Sequence, residues 1–339
     1  MTQLRVGIYL PSFGYSSHDG MDHAERLRRW CIRAEALGFD SIWVTDHMLR
    51  ARNMYAYTWL EPITTLAFAA GVTKRVTLGT GVLLLPLRQP VLLAKMMASL
   101  QQMSNDRFIL GAGTGWYHPE MLAMGALPKE RGRRTDEVLD IARRLMAGEE
   151  LSYQGSFYSL DSVRIEPSPS PLPVWIGGGS QVSGEQSVEK PELNARVKAR
   201  IAAADGWFSR PSAEPQQVAD DWTLVAEALE ENGRKPEEVA IAHGQWLHLT
   251  EEDSSTAARD IQHAMAGEVF GHGRDRELLE RSYLFGTLEE VVAQCQQRVD
   301  VGVEHLIIHP YTDDPDQLEL WGSQLLPRLK AMQVSRPVR

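Results

Sequence analysis

The chain has 339 residues, with 45 acidic against 35 basic, and a formal charge of −10 when its histidines are neutral. That balance argues against a nucleic-acid surface, which needs clustered Lys and Arg to displace counterions from phosphates; the Arg131-Gly-Arg133-Arg134 run is short and interrupted. Average hydrophobic content, with no apolar run near the roughly 18–20 residues of a membrane span, describes an ordinary globular chain with a sizeable core.

The N-terminus, "MTQLRVGIYLPSFG", has no signal-peptide layout and runs straight into an apolar strand closed by Pro11, so a cytoplasmic protein is expected. From Asp22, Ala24, Leu27, Trp30, Cys31, Ala34 and Leu37 recur at helical spacing, and Gly38 stands where a C-terminal cap belongs. "FDSIWVTDH" is the next strand. A helix over Glu61 to Val72, a strand over Val76 to Leu85, a helix from Pro90 and the strand "RFILGAG" continue the alternation. Arg133 to Ala147 reads as helix, and residues 151–166 alternate like a hairpin laid outside the pattern. "PLPVWIGGG" and "ADGWFSR" follow as strands, then a helix carrying Val218, Trp222, Val225 and Leu229, then the strand "EVAIAHGQWLHLT". Thr287 and Glu290 form a capping-box pattern ahead of Leu288, Val291, Cys295 and Val299, and "EHLIIHP" is the last strand before a helix with Leu318, Trp321 and Leu325. Cys31 and Cys295 both fall at apolar helix positions and read as free buried thiols.

About eight strands separated by helices are the pattern of parallel βαβ units. A (β/α)8 TIM barrel fits best, as one domain over residues 1–339 with inserts near 151–166 and 251–284; a doubly wound sheet is the rival. In such a barrel the chemistry sits at the carboxyl ends of the strands. That rule selects Pro11 to Phe13, Asp46-His47, the loop after Leu85, "GTGW" with Thr114, Gly115 and Trp116, "GGGS" ending in Gly178, Gly179 and Ser180, Trp207 and His309. Gly79 and Gly81, one residue apart in an apolar run, mark a bulge, a bend or a place where a ligand lies against the backbone. His47 can exchange a proton near neutral pH, or it can merely cap its strand. The small residues after "VWI" read as a phosphate cradle. Met48, Tyr55 and Tyr57, in the loop after the second strand, read as an apolar pocket or a packed rim, with Arg50 and Arg52 as charges beside it. The ten histidines form no HExxH or Cys/His cluster, so no metal site is expected. "GAGTGW" has the wrong spacing and place for a dinucleotide fingerprint.

"AEALGFDSIWVTDH", the block from "RVTLGTGVLLLP" through "RFILGAGTGW", "PLPVWIGGGS", "ADGWF" and "FGTLEEVVAQCQQRVDVGVEHLIIHP" together resemble the bacterial luciferase-like monooxygenases and their deazaflavin-dependent relatives. The resemblance is weakest over residues 181–200 and 251–282. It implies a bulge at Thr80, Gly81 and Val82 with a non-prolyl cis peptide at Gly81-Val82 supporting a flavin ring. It implies that His47 is catalytic and accompanied by Asp46, that Gly178, Gly179 and Ser180 hold the phosphate, and that Trp207 lies beside the ring. Two departures stand out. Thr114 occupies the place of luciferase's phosphate-binding arginine, and Trp116 that of the catalytic glutamate in deazaflavin enzymes reading "GTGE". The resemblance further implies a homodimer. The leading expectation is a monooxygenase that receives reduced FMN (FMNH2) from a separate NAD(P)H flavin reductase and oxygenates a small-molecule substrate with O2. The alternatives are a hydride-transferring oxidoreductase using the deazaflavin coenzyme F420, and a flavin-binding protein without turnover.

Overall fold

The computed structural model describes residues 2–13, 22–51, 54–168, 172–180 and 193–335. Arg52 and residues 169–171 of the "SPSPLP" segment therefore lie outside the described residues. Eight parallel strands form the centre: β1 (Arg5–Tyr9), β2 (Ser41–Val44), β3 (Thr77–Thr80), β4 (Phe108–Gly113), β5 (Val174–Gly177), β6 (Gly206–Ser209), β7 (Ala240–Leu247) and β8 (His305–Pro310). Each pairs with its successor, β8 pairs back onto β1, and the sheet closes into a barrel with no free edge.

Around it run α1 (His23–Leu37), α2 (Pro62–Val72), α3 (Pro90–Ser104), α4 (His118–Ala123), α5 (Arg131–Met146), α6 (Ala195–Ala202) and α7 (Pro215–Glu231). They continue with α8 (Ser255–Phe270), α9 (Arg276–Ser282) and α10 (Leu288–Asp300), ahead of two shorter C-terminal helices. Local signals set their ends. The Asp22 side chain accepts from Glu25 N–H and Gly38 adopts φ +98° to cap α1, and Thr287 and Glu290 complete a reciprocal capping box on α10. The hairpin forms from Leu151–Gln154 and Ser159–Val163, outside the barrel.

Side chains alternate strictly along each strand, and this parity positions the site. Ile42 and Val44 pack outward under the helices, whereas Trp43 joins Tyr9, Trp175, Phe208 and Ile307 inside the barrel. The floor is polar but closed: Ser41 Oγ accepts from Trp43 Nε1 at 2.7 Å and meets His305 Nε2 at 2.7 Å. Burial holds that imidazole neutral, down to about 3.

The strand expected over Val76 to Leu85 breaks after Thr80. Gly81 N–H reaches back to Val44, the Gly81-Val82 peptide is cis, and pairing with β4 resumes only at Leu83 and Leu84. Gly81 is glycine because the Tyr9 ring occupies the adjoining space: a Cβ there would lie 2.3 Å from Tyr9 Oη. Across the bulge, a Cβ on Gly113 would lie 2.4 Å from a Val82 methyl. Gly113→Ala is therefore expected to push Val82 out of place and destabilise the fold by about 1–3 kcal/mol, read as a lower thermal midpoint.

Candidate active site

At the carboxyl end of the barrel a cavity of about 330 Å³ opens, lined by residues from several strand ends and the segments that follow them. Its walls are largely aromatic: Tyr9, Tyr55, Trp59, Trp116, Trp246 and Tyr283, with Gly81 and Gly244 exposing backbone. His309, on the inner row of β8 with His305 and Ile307, is sandwiched between Trp246 at 3.5 Å and Tyr9 at 4.4 Å between ring centroids. Its Nδ1 lies 3.3 Å from the Pro310 carbonyl, which can only accept, so Nδ1 carries the proton and Nε2 accepts from the Thr45 hydroxyl at 3.3 Å. Burial pushes this imidazole down to about 3, so it is a neutral wall at physiological pH.

His47 and Asp46, neighbours in sequence, have opposite surroundings. On the β2 parity His47 follows Ser41, Trp43 and Thr45 inward, and its ring packs 5.4–5.6 Å from Trp59, Tyr55 and Trp116, which line the cavity. Asp46 follows Ile42 and Val44. Its Oδ2 accepts from Leu84 N–H and from the Arg88 guanidinium, both at 2.8 Å, tying the end of β2 to the chain beyond the bulge. Burial pushes its carboxyl up to about 6 against the pull of Arg88 and the Leu84 amide. The group expected to accompany His47 in the reaction is thus enclosed in a structural ion pair. Asp46→Ala is expected to cost about 1–3 kcal/mol by leaving the buried Leu84 amide unpaired and Arg88 with Glu61, 3.6 Å away, as its remaining ion-pair partner, measured by chemical denaturation.

The carboxylate that does reach His47 is Glu120, which the sequence reading passed over. It lies on α4, is 1% exposed, and sets Oε2 3.3 Å from His47 Nδ1 while Oε1 accepts from Leu49 N–H at 2.9 Å. Burial would raise this carboxyl, but His47 and the Leu49 and Met48 amides outweigh it and hold it below the usual range. Because a carboxylate only accepts, the Glu120 contact keeps a proton on Nδ1 of His47 and leaves Nε2 as the atom that can exchange one. Trp116 stands at the "GTGE" position, and a carboxylate appears four residues later.

The other expected residues divide. Tyr55 and Trp116 line the cavity, and Gly81 forms part of its floor with Val82 behind it. Phe13 stacks with Tyr57 and packs against Trp59 and Trp246, backing the cavity wall. Met48 packs with Leu84, Leu87 and Met121 instead of entering the pocket. Thr80 is a strut, its hydroxyl donating to Gly111 O and accepting from Gly111 N–H. Thr114 and Gly115 turn the chain toward α4, with Gly115 at φ +71°. Trp207 is fully buried on the outer side of β6, stacked on Trp222 with Nε1 donating to Gly178 O, so it backs the strand and does not flank a ring site. At the expected phosphate cradle, Ser180 spends both its N–H and its hydroxyl on Asp221 of α7, and Gly178 N–H goes to Phe208 O. A resident carboxylate therefore holds both Ser180 donors expected to bind phosphate.

The insert over 251–284 forms α8 and α9, which wall the site: Phe270 stacks on Tyr283, which lines the cavity, and Ala56 N–H binds Val269 O. Among the described residues there is no group of ligands able to hold a metal ion, and no helix is long and apolar enough to cross a membrane.

A closed eight-stranded barrel with a cis-peptide bulge beneath an aromatic cavity defines a luciferase-like architecture. The chain belongs to the luciferase-like monooxygenase family, whose model matches residues 4–305. An F420-dependent glucose-6-phosphate dehydrogenase of Intrasporangium calvum is 28% identical over 355 aligned positions, covering 97% of this chain and all of that protein. A protein of the same name from Amycolatopsis mediterranei is 26% identical over 94% of this chain and 98% of its own length. In structure, the chain is similar to an F420-dependent secondary alcohol dehydrogenase, with TM-score 0.78 at 19% identity over 97% and 99% of the two chains. It is equally similar to a monooxygenase from Streptomyces bottropensis, with TM-score 0.78 at 24% identity over 96% and 99%. The structural likenesses establish the fold alone.

The full-length relatives correct the leading expectation. They are named for F420 and for dehydrogenation, so the reading of an FMN-dependent oxygenase gives way, and FMN loses its place as the expected cofactor. The flavin reductase and O2 served that reading alone. What stands is an oxidoreductase of the luciferase-like family.

Proposed function

We propose that the chain is a coenzyme F420-dependent dehydrogenase acting on an alcohol. The reading is carried by the near-complete alignment with F420-dependent dehydrogenases, and the His47–Glu120 pair gives it a chemical basis. The site suits such a coenzyme in two respects. Tyr9 Oη donates to Gly81 O, fixing the bulge as a backbone rest for a flat ring. Two residues lining the cavity, Trp59 and Arg210, carry buried N–H donors with no partner among the described residues, and the coenzyme is rich in acceptor oxygens.

When bound, the deazaflavin supplies a hydride acceptor. The chain supplies the rest. His47 Nε2 takes the hydroxyl proton of the substrate as the carbon gives up its hydride, and Glu120 keeps Nδ1 protonated and the ring oriented. Neutral His309 and the surrounding rings exclude water without adding a competing charge. The test is incubation with oxidised F420 and a panel of sugar phosphates and secondary alcohols, following loss of the coenzyme's visible absorbance and formation of the carbonyl product. Reduction with matching product supports the reading; no reduction with any member, by protein shown to bind F420, counts against it.

A further inference from the structure

Arg210 follows β6 on the same inner row as Phe208, and it is the one residue with a permanent charge among the described residues lining the cavity. Its anionic neighbour is already committed: both oxygens of Asp221 are engaged by Ser180, and Asp221 makes no ion pair with Arg210. The guanidinium is left with one long contact, Nη2 donating to Gln217 Oε1 at 3.4 Å, and its Nε is buried with no partner among the described residues. Burial weakens the charged form, with Asp221 offsetting only part of that cost. A half-buried guanidinium with an unused N–H is expensive unless an anion completes it.

We propose that Arg210 is the anion anchor of this cavity, binding a phosphate or carboxylate through its unused guanidinium donors. The inference rests on the F420 reading only for the source of the anion. That source is either the phosphate-bearing side chain of the coenzyme or an anionic group on the substrate. In the first case β6 supplies the positive charge that Thr114 cannot, and that the Ser180 donors, held by Asp221, do not offer. Guanidinium geometry favours two parallel N–H···O bonds, so lysine is a partial substitute at best.

The test uses the full chain, Arg210→Gln and Arg210→Lys, with folding checked by thermal midpoint. Equilibrium titrations measure F420, the deazaflavin riboside lacking phosphate, and inorganic phosphate added to riboside-saturated protein. If the coenzyme is the source, Arg210→Gln weakens F420 by about tenfold or more while riboside binding stays within about twofold, and Arg210→Lys recovers part of the loss. If the substrate is the source, F420 binding holds and the variant loses inorganic phosphate instead. The proposal is overturned if Arg210→Gln binds all three probes as the parent does, or loses riboside and F420 in equal proportion. Should the parent bind neither deazaflavin, the F420 reading fails separately. Calorimetric titration of the unliganded proteins with inorganic phosphate then decides the anchor: parent binding lost in Arg210→Gln supports it, and no difference removes it.

Discussion

Replacing His47 by Ala is expected to lower kcat for coenzyme reduction by about 10²- to 10⁴-fold while changing F420 affinity by less than about threefold. The split follows from position. His47 continues the inner row beyond β2, its ring 5.4–5.6 Å from three rings that line the cavity, whereas the bulge at Gly81 follows β3 and the orphaned Arg210 donor follows β6. Removing the imidazole deletes a proton acceptor and leaves those features in place. Stopped-flow reduction gives the rate and fluorescence titration the affinity. Equal losses in both would make His47 a packing residue and not a base.

Glu120→Gln is expected to lower kcat by about 10- to 100-fold, less than loss of His47, because the base remains but its orientation and tautomer are no longer fixed. The amide can still accept from Leu49 N–H, so the α4 contact persists. Two readouts separate this role from simple destabilisation. Glu120→Asp, a shorter carboxylate, should recover part of kcat. Stability should also report the missing charge: Glu120 is held below its ordinary range in the fold, so its unfolded state binds more protons and its contribution is present above the unfolded value. That contribution is lost as pH falls through the folded value. The gap in thermal midpoint between parent and Glu120→Gln should therefore narrow as pH is lowered from 7 through the carboxylate range. A constant gap would contradict an ionised Glu120 at this site.

Much of the architecture is legible in the residues, because helical and strand periods differ and caps such as Asp22, Gly38 and Thr287 mark the ends. The site is legible chiefly through strand parity. In "SIWVTDH", Ser41, Trp43, Thr45 and His47 share one side, which separates His47 from Asp46. In "GWFSR" the same count sends Phe208 and Arg210 inward and Trp207 outward. Reading Asp46 and His47 as one motif hides the first of these distinctions. Glu120 gives no such signal: it lies on a six-residue helix, and its link to His47 spans 73 positions. The pairing of Ser180 with Asp221 is equally tertiary, joining two elements 41 positions apart. Among the glycines of "GTG" and "GAG", Gly81 makes room for Tyr9 and Gly113 for Val82.

The central claim is tested most directly by titrating the purified chain, anaerobically and under identical conditions, with F420 and with FMN, each in oxidised and reduced form. The account predicts that both forms of F420 bind more tightly than the matching forms of FMN, and that admitting oxygen to the complex with reduced F420 produces no peroxide intermediate. Preferential binding of reduced FMN, followed by a transient flavin-peroxide absorbance when oxygen enters, would contradict it.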